Sequence, residues 1–134
     1  MITVVFACVH NAGRSQMAAA FFNAVADPTK ARAVSAGTEP AAHLHPEVVA
    51  AMAEVGLDLR DATPQRLTKT LAAGAELLVT MGCGESCPVV PGLRQHDWPL
   101  RDPKGQSPDV VRGIRDEVGA RVRELVTEEG WARL

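Results

Sequence analysis

The residues best suited to chemistry stand early in the chain, where Cys8 and Arg14 are separated by five residues in the stretch CVHNAGR. This stretch follows an apolar run and precedes an Ala-rich one, which places it between a buried strand and a helix. The backbone N–H groups of such a loop can point inward and surround an anion at the helix N-terminus. The spacing therefore predicts a cradle for a tetrahedral oxyanion, formed by Val9, His10, Asn11, Ala12, Gly13 and Arg14.

Cys8 is the candidate nucleophile of this loop. A helix N-terminus and a nearby arginine favour the thiolate form of a cysteine, and the planar Arg14 guanidinium suits a tetrahedral oxyanion. Asn11 and Gly13 can take the positive φ that a tight anion-binding turn requires. Ser15 has two interpretations, because its hydroxyl can cap the following helix or stabilise the Cys8 thiolate. A buried structural cysteine is the alternative for Cys8 alone, and the arginine and serine beside it argue against that alternative.

Two further cysteines, Cys83 and Cys87, directly follow another apolar run. Three cysteines are an odd number and too few for the disulfide framework of a small secreted protein, so they indicate redox chemistry or metal binding. A C-x3-C pair with one distant histidine falls short of the four ligands of a structural zinc site. This disfavours a metal-binding module that would use His43, His45 or His96.

Composition excludes several classes of function. The 134 residues carry a net charge of -2, without the excess of Lys and Arg that nucleic-acid binding needs. No apolar stretch approaches the roughly 18 residues of a membrane span, and no secretory signal pattern precedes the first apolar run. We therefore expect a cytoplasmic protein that binds neither nucleic acid nor membrane, with one domain over residues 1–134.

The elements that must position these residues alternate between strand and helix. Apolar runs and helical periodicity predict, in chain order, a strand at 2–7, a helix at 14–26, a strand at 32–37, helices at 46–55 and 64–71, strands at 76–80 and 95–98, and a helix at 108–128. Such alternation is typical of a doubly wound α/β domain with a four-stranded parallel sheet flanked by helices. Ligands of these sheets bind at the carboxyl ends of the strands, where Cys8, Cys83 and the loop after Trp98 would meet.

These segments together resemble a known family. The loop CVHNAGRS resembles the C-x5-R-S loop of the low-molecular-weight protein tyrosine phosphatases and of the arsenate reductases built on their fold. Six further segments look like parts of the arsenate reductases: VSAGTEP, HPEVVAAMAEVGLDL, LLVTMGC, CPVVPG, HDWPLRDPKG and IRDEV. The resemblance covers nearly the full chain and implies the phosphatase-like fold, with reduction of arsenate to arsenite in arsenic detoxification as the activity.

The general acid is implied by the resemblance rather than by local sequence. Asp102, in RDPKG, is typical of an Asp-Pro turn when taken alone. Thiolate attack on an oxyanion needs a proton for the leaving oxygen, and a carboxylic acid on a facing loop can donate it. Because the family places its acid in such an Asp-Pro loop after a Trp-containing strand, the resemblance implies that role for Asp102.

The resemblance also gives the second cysteine pair a role as electron donor. Cys83 would attack the Cys8 adduct, arsenite would leave, and Cys87 would resolve the Cys8–Cys83 disulfide. If residues 83 to 87 formed one helical turn, the two Cβ atoms would lie about 5 to 6 Å apart. A disulfide needs about 3.8 Å, so we expect this segment to unwind or to be a loop, and to change shape with oxidation state.

The external reductant stays open at this level. The thioredoxin-coupled reductases separate their redox cysteines by more residues than the three between Cys83 and Cys87. The segment MGCGESCP is closer to forms that pass arsenate to a low-molecular-weight thiol, where a small thiol attacks the adduct and neither cysteine is essential. The implied partners are arsenate and either thioredoxin or a glutaredoxin-like protein with a small thiol such as glutathione, mycothiol or bacillithiol.

A tyrosine phosphatase is the main alternative activity, since it would use the same Cys8, Arg14 and Asp102. Such an enzyme needs aromatic residues at the pocket rim to hold a phenyl ring, and the chain has no Tyr and only two Trp. Gly13 stands where phosphatases usually have a second cysteine, so no disulfide can form within this loop. The composition therefore favours the reductase.

No tightly bound cofactor and no metal is expected. The resemblance brings with it the structural potassium site of some of these reductases, and Asn11, Ser35 and Thr63 match ligand positions of that site. Ala19 and Gln65 stand where the site has acidic residues. Their lack of charge argues against a bound potassium ion.

Overall fold

A computed structural model describes residues 1–82 and 91–133, and four parallel strands form its centre. The strands are β1 (Ile2–Cys8), β2 (Ala31–Gly37), β3 (Leu77–Thr80) and β4 (Arg94–Asp97), in the order β2-β1-β3-β4. The helices are α1 (Arg14–Val25), α2 (Pro46–Ala53), α3 (Lys69–Ala73) and α4 (Pro108–Glu128). The predicted four-stranded parallel α/β fold is confirmed. Within the described ranges, no helix is both long and apolar enough to cross a bilayer.

The central strand β1 is buried on both faces, which explains its continuous apolar sequence. Successive side chains of a strand alternate between faces, so Val4, Phe6 and Cys8 share the larger core with α1, α2 and α4. The other face carries a smaller cluster around Val5 and Ala7, which α3 and its flanking residues cover. Helices therefore flank both faces, with most of the apolar mass on the face that carries Cys8.

Aromatic side chains form the part of the core below the site. Phe6 is fully buried, with its ring 6.0 Å from Phe22 of α1 and 5.7 Å from Trp98. Burying a side chain of this size contributes roughly 1.5 to 3 kcal/mol. The contacts hold β1, α1 and the chain after β4 in a fixed relation, so the residues that follow these elements are also held.

The predicted helix at 64–71 is wrong in its bounds, and the other elements lie within two residues of their predicted limits. Residues 65–67 pair with the end of β2 instead: the Gly37 N–H donates to the Gln65 carbonyl, and the Leu67 N–H donates to the Gly37 carbonyl, both at 2.8 Å. The helix begins at Lys69 because the Thr68 side chain accepts from the Leu71 N–H as an N-cap. Backbone pairing to a neighbouring strand thus overrides local helical periodicity.

Ion pairs join α4 to the end of α2. Arg112 donates to both carboxylate oxygens of Glu54, at 3.0 and 2.8 Å. Arg115 donates to Glu54 at 2.8 Å and to the Ala51 carbonyl at 2.9 Å. These hydrogen bonds lower the pKa of Glu54 to about 2, and those from Arg112 contribute most. Sequence periodicity predicts a solvated charged face for α4, and this is wrong for Arg115, which is buried.

Candidate active site

The site lies where the chain leaves β1 and β3, at the carboxyl ends of two neighbouring strands. β2 lies on one side of β1 and β3 on the other, so the order of connections reverses at this point. Cys8 is the last residue of β1, and the Met81 N–H donates to the Ala7 carbonyl at 2.8 Å beside it. The topology therefore brings Cys8 to the crevice in which doubly wound sheets bind their ligands.

The loop from Cys8 to Arg14 has its carbonyl groups engaged with the segment 38–45. The acceptors are the carbonyls of Cys8, Val9, His10 and Ala12, at 2.8 to 3.2 Å from their donors. Across residues 1–82 and 91–133, no acceptor pairs with the N–H groups of residues 10–13. These N–H groups are available to an anion, as the predicted cradle requires.

Two positions in the loop have unusual backbone geometry. Asn11 has a φ of 50°, as expected for an anion-binding turn. The positive φ expected at Gly13 is wrong, because its φ is -142°. Gly13 is needed for space instead, since a Cβ there would lie 2.8 Å from Pro103 Cγ and 3.3 Å from His45 Cδ2. The loop is thus packed closely under the segment that carries Asp102.

Ser15 faces Cys8 and does not cap α1. The helix has no side-chain cap at Gly13. Asn11 Nδ2 donates to Ser15 Oγ at 2.7 Å, and this leaves the single hydroxyl proton of Ser15 for Cys8 Sγ, 2.9 Å away. In this position the Ser15 hydroxyl can donate to Cys8 Sγ.

The Arg14 guanidinium and Asp102 lie at the mouth of the loop. Arg14 is 7% exposed, donates to the Leu100 carbonyl at 3.1 Å, and has its NH2 atom 3.8 Å from Asp102 Oδ2. Gly82 lies against this side chain, because a Cβ at Gly82 would be 2.4 Å from Arg14 NH1. Arg14 is thereby fixed by contacts on two sides, while one oxygen of Asp102 faces it.

His45 lines the same pocket as Cys8, Arg14 and Asp102, together with His10. Burial disfavours the imidazolium and lowers the pKa of His45, against the opposing effect of Glu47 and Asp102. His45 is therefore neutral at pH 7 when no anion is bound. His45 stands as the N-cap residue of α2.

The structure brings most of the predicted site residues together. Cys8, Arg14 and Asp102 line one pocket with His10, Ala12 and Gly13 of the loop. Ser15 contacts Cys8, whereas Val9 and Asn11 are not part of the pocket lining. Cys83 and Cys87 lie outside the described residues, as does the predicted change of shape between them. Sequence reasoning missed Gly82 and His45. A glycine directly after a buried strand and a histidine directly before a helix-starting proline were the available signals.

The chain has a 2-1-3-4 sheet, and the cysteine that ends its first strand begins a C-x5-R loop. These two features define the phosphatase-like class of α/β proteins. The model of the low molecular weight phosphotyrosine protein phosphatase family matches residues 3–130, and the chain belongs to this family. The resemblance to its arsenate reductase members, drawn above from the motifs, is confirmed by the relatives that follow.

Three relatives show how closely the chain follows these reductases. Arsenate reductase 1 of Bacillus cereus is 36% identical over 127 residues, which cover 91% of this chain and 92% of the relative. The glutaredoxin arsenate reductase of Synechocystis is 34% identical over 96% of this chain and 98% of its own. The thioredoxin-dependent arsenate reductase of Corynebacterium glutamicum has a TM-score of 0.82 and 38% identity over 96% of this chain. The match spans 61% of that solved chain.

Proposed function

We propose that this protein reduces arsenate to arsenite, with Cys8 as the nucleophile. One observation carries the proposal: Cys8 Sγ lies 2.9 Å from Ser15 Oγ, within hydrogen-bond distance, at the base of a loop whose N–H groups and Arg14 suit a tetrahedral oxyanion. The relatives named as arsenate reductases support arsenate as that oxyanion. The activity contributes to arsenic detoxification.

The first step joins sulfur to arsenic. The Cys8 thiolate attacks the arsenic of the bound arsenate, and an arsenic–oxygen bond breaks. Asp102, whose Oδ2 atom lies 3.8 Å from Arg14 NH2, acts in its carboxylic acid form and donates the proton with which the leaving hydroxyl departs as water. Arsenic stays in its pentavalent state, and the cradle N–H groups with Arg14 stabilise the charge on the remaining oxygens.

The second step supplies two electrons. The Cys83 thiolate attacks Cys8 Sγ, a disulfide forms, and the sulfur–arsenic bond breaks with its electron pair going to arsenic. Trivalent arsenite leaves, and two thiols have been oxidised to a disulfide. Cys87 then attacks Cys83, releases the Cys8 thiolate and leaves a Cys83–Cys87 disulfide, which an external dithiol reduces.

The two residues that precede Cys83 support this route. Met81 is hydrogen-bonded to Ala7, the neighbour of Cys8, and Gly82 lies against the Arg14 side chain. Gly82 is the last described residue before Cys83. The contacts of Met81 and Gly82 with the surroundings of Cys8 and Arg14 support the relay through the residues that follow.

A low-molecular-weight thiol is the alternative source of the electrons. In that route a small thiol, rather than Cys83, attacks the adduct on Cys8, and a glutaredoxin-like protein completes the reduction. The relatives include both a thioredoxin-dependent and a glutaredoxin arsenate reductase, so each of the two electron donors has support. Only the relay route requires Cys83 and Cys87.

Tyrosine phosphatase activity is the second candidate, because the matching family model carries that name. The same pocket residues would support a phosphatase reaction equally well in its first step, the attack by Cys8. The described lining of the pocket contains two histidines and no Phe, Tyr or Trp to hold a phenyl ring. We therefore expect at most slow hydrolysis of aryl phosphates.

The decisive experiment measures arsenite formation with a thioredoxin system and, separately, with glutathione and glutaredoxin. Wild type is compared with Cys83→Ser, Cys87→Ser and the control Ser86→Ala, which alters the same segment without removing a thiol. We expect turnover with thioredoxin in wild type and in the control. Both cysteine variants should lose this turnover. Cys87→Ser should still release at most one arsenite per chain, because Cys83 remains.

Full thioredoxin-dependent activity in both cysteine variants would overturn the relay. Arsenite formation only with the small thiol, unaffected by either substitution, would establish the alternative donor. Failure of both systems, together with rapid hydrolysis of p-nitrophenyl phosphate, would replace the reductase by the phosphatase.

A further inference from the structure

Two hydrogen-bond donors of the protein fix the orientation of the Asn11 side-chain amide. Its Oδ1 accepts from the backbone N–H of Gln65 at 2.9 Å and from Gln16 Nε2 at 3.1 Å. Because Oδ1 must face these donors, Nδ2 faces Ser15 Oγ, to which it donates at 2.7 Å. Asn11 is fully buried, so this orientation decides how the Ser15 proton is directed at Cys8.

Four carbonyl oxygens accept hydrogen bonds from the side-chain amides of Gln16 and Gln65, and oxygens of this kind are typical ligands of a cation. They belong to the Asn11 backbone, the Asn11 side chain, Thr63 and Ser35. Gln16 Nε2 contacts the first three at 3.1, 3.1 and 3.3 Å, and Gln65 Nε2 donates to the Ser35 carbonyl at 2.8 Å. Each oxygen is therefore faced by the positive end of an N–H dipole.

The residues present do not fit the potassium ion that some related reductases hold at this position. Potassium needs oxygen ligands and gains most from carboxylates. The chain offers Ala19 and the amide of Gln65 at the two acidic positions, and that amide turns a donor toward Ser35. A cation would have to displace N–H groups that already satisfy the same oxygens.

We propose that the side chains of Gln65 and Gln16 take the place of a bound cation and position Cys8. The Gln65 amide holds its own backbone against Ser35, so that the Gln65 N–H orients Asn11, and Asn11 in turn orients Ser15. The amide donors satisfy the carbonyl oxygens that a cation would otherwise neutralise. Reactivity of Cys8 is accordingly independent of potassium. This inference rests on the proposed function only in taking Cys8 as the nucleophile.

The test measures alkylation of Cys8 by iodoacetamide as a function of pH, with the modified peptide quantified by mass spectrometry. No arsenate is present, so the outcome does not depend on whether the protein reduces arsenate. Wild type, Gln65→Glu and the control Gln95→Glu are compared in potassium chloride and in tetramethylammonium chloride at equal ionic strength. Gln95 is an exposed residue of the edge strand β4, so the control adds the same charge away from Asn11.

Wild type and Gln95→Glu should give the same pH profile in both salts. Gln65→Glu loses the donor to Ser35 and adds a carboxylate, so alkylation at pH 7 should be about threefold to tenfold slower in tetramethylammonium, the effect of one lost hydrogen bond. Potassium should restore most of that rate and raise the melting temperature of this variant alone.

Two results would overturn the inference. A shift of the wild-type profile on replacing potassium would show that a cation still acts at these oxygens. Identical profiles for Gln65→Glu and Gln95→Glu, with both proteins folded by circular dichroism, would show that Gln65 does not position Cys8.

Discussion

Arg14 depends on a glycine that carries no chemistry of its own. Gly82 has a φ of +93°, and a Cβ there would come within 2.4 Å of Arg14 NH1. On the other side, the guanidinium is held by the Leu100 carbonyl at 3.1 Å. The direction in which Arg14 presents its donors is therefore set by the absence of a side chain at position 82.

Gly82→Ala should weaken oxyanion binding by about tenfold to a hundredfold, because displacing Arg14 removes charge-assisted hydrogen bonds worth roughly 1.5 to 3 kcal/mol. Phosphate, measured by isothermal titration calorimetry, is a suitable probe of the cradle. Gly92→Ala is the matched control: its φ is +81°, and nothing lies within 4 Å of the added Cβ. Equal loss of affinity in both variants would assign the effect to backbone strain rather than to Arg14.

Helix α2 is held at both ends by carboxylates that reach the α4 side of the molecule. Glu47, in its first turn, accepts from the Gly105 N–H at 3.1 Å, in the loop that follows Asp102. Glu54, after its last turn, joins Arg112 and Arg115 of α4. Because His45 begins this helix, the two carboxylates together set the position of one wall of the pocket.

Glu54 should make the free energy of unfolding depend on pH in the acid range. Its pKa is about 2 in the folded chain, below the usual 4.5, so the folded state binds fewer protons. The stabilisation is complete above pH 4.5 and is lost as the pH falls toward 2. Urea unfolding followed by Trp fluorescence should show Glu54→Gln less stable than wild type at pH 7, with the difference shrinking toward pH 3.

Glu128→Gln, at an exposed position near the end of α4, is the control and should follow wild type at every pH. A difference between Glu54→Gln and wild type that stays constant from pH 7 to pH 3 would contradict the assignment of the ion pairs.

At the scale of the whole molecule, charge does not attract the proposed substrate. The net charge of -2 repels a dianion weakly, and the attraction comes from the cradle N–H groups and from one buried arginine. Such short-range interactions within a partly desolvated pocket are screened little by salt. Affinity is thus a property of the site rather than of the surface.

We expect the phosphate dissociation constant to change by less than about threefold between 20 and 200 mM sodium chloride, a range in which the screening length falls severalfold. Lys104→Gln, which removes an exposed cation two residues after Asp102, should leave the constant within the same limit. A tenfold or greater weakening in either case would show that exposed lysines and arginines supply the attraction.

The sheet and most of the pocket follow from the sequence because they are encoded locally. Two kinds of short-range pattern carry this information: the apolar runs that become β1 and β3, and the C-x5-R spacing that joins β1 to α1. The contacts of Arg14 with Gly82 and of Gly13 with Pro103 join residues far apart in the chain, and no periodicity reports them. The buried position of Arg115 was missed for the same reason, since its partners lie on α2.

The error at 64–71 has a different origin. Composition there is compatible with a helix, but Gln65 and Leu67 gain backbone hydrogen bonds to Gly37 and a contact with Asn11 by staying extended. Propensity is a weak preference that tertiary contacts override. The segment that the sequence interpretation made a helix is thereby available to orient the cradle.

The contact between Gly13 and Pro103 has an evolutionary consequence. A side chain at position 13 would meet the Pro103 ring at 2.8 Å, so the cradle and the Asp102 loop are one steric unit. A lineage could acquire the cysteine that phosphatases have at this position only by also changing residue 103 or displacing the acid. Acquisition of that cysteine therefore requires paired substitutions on separate loops.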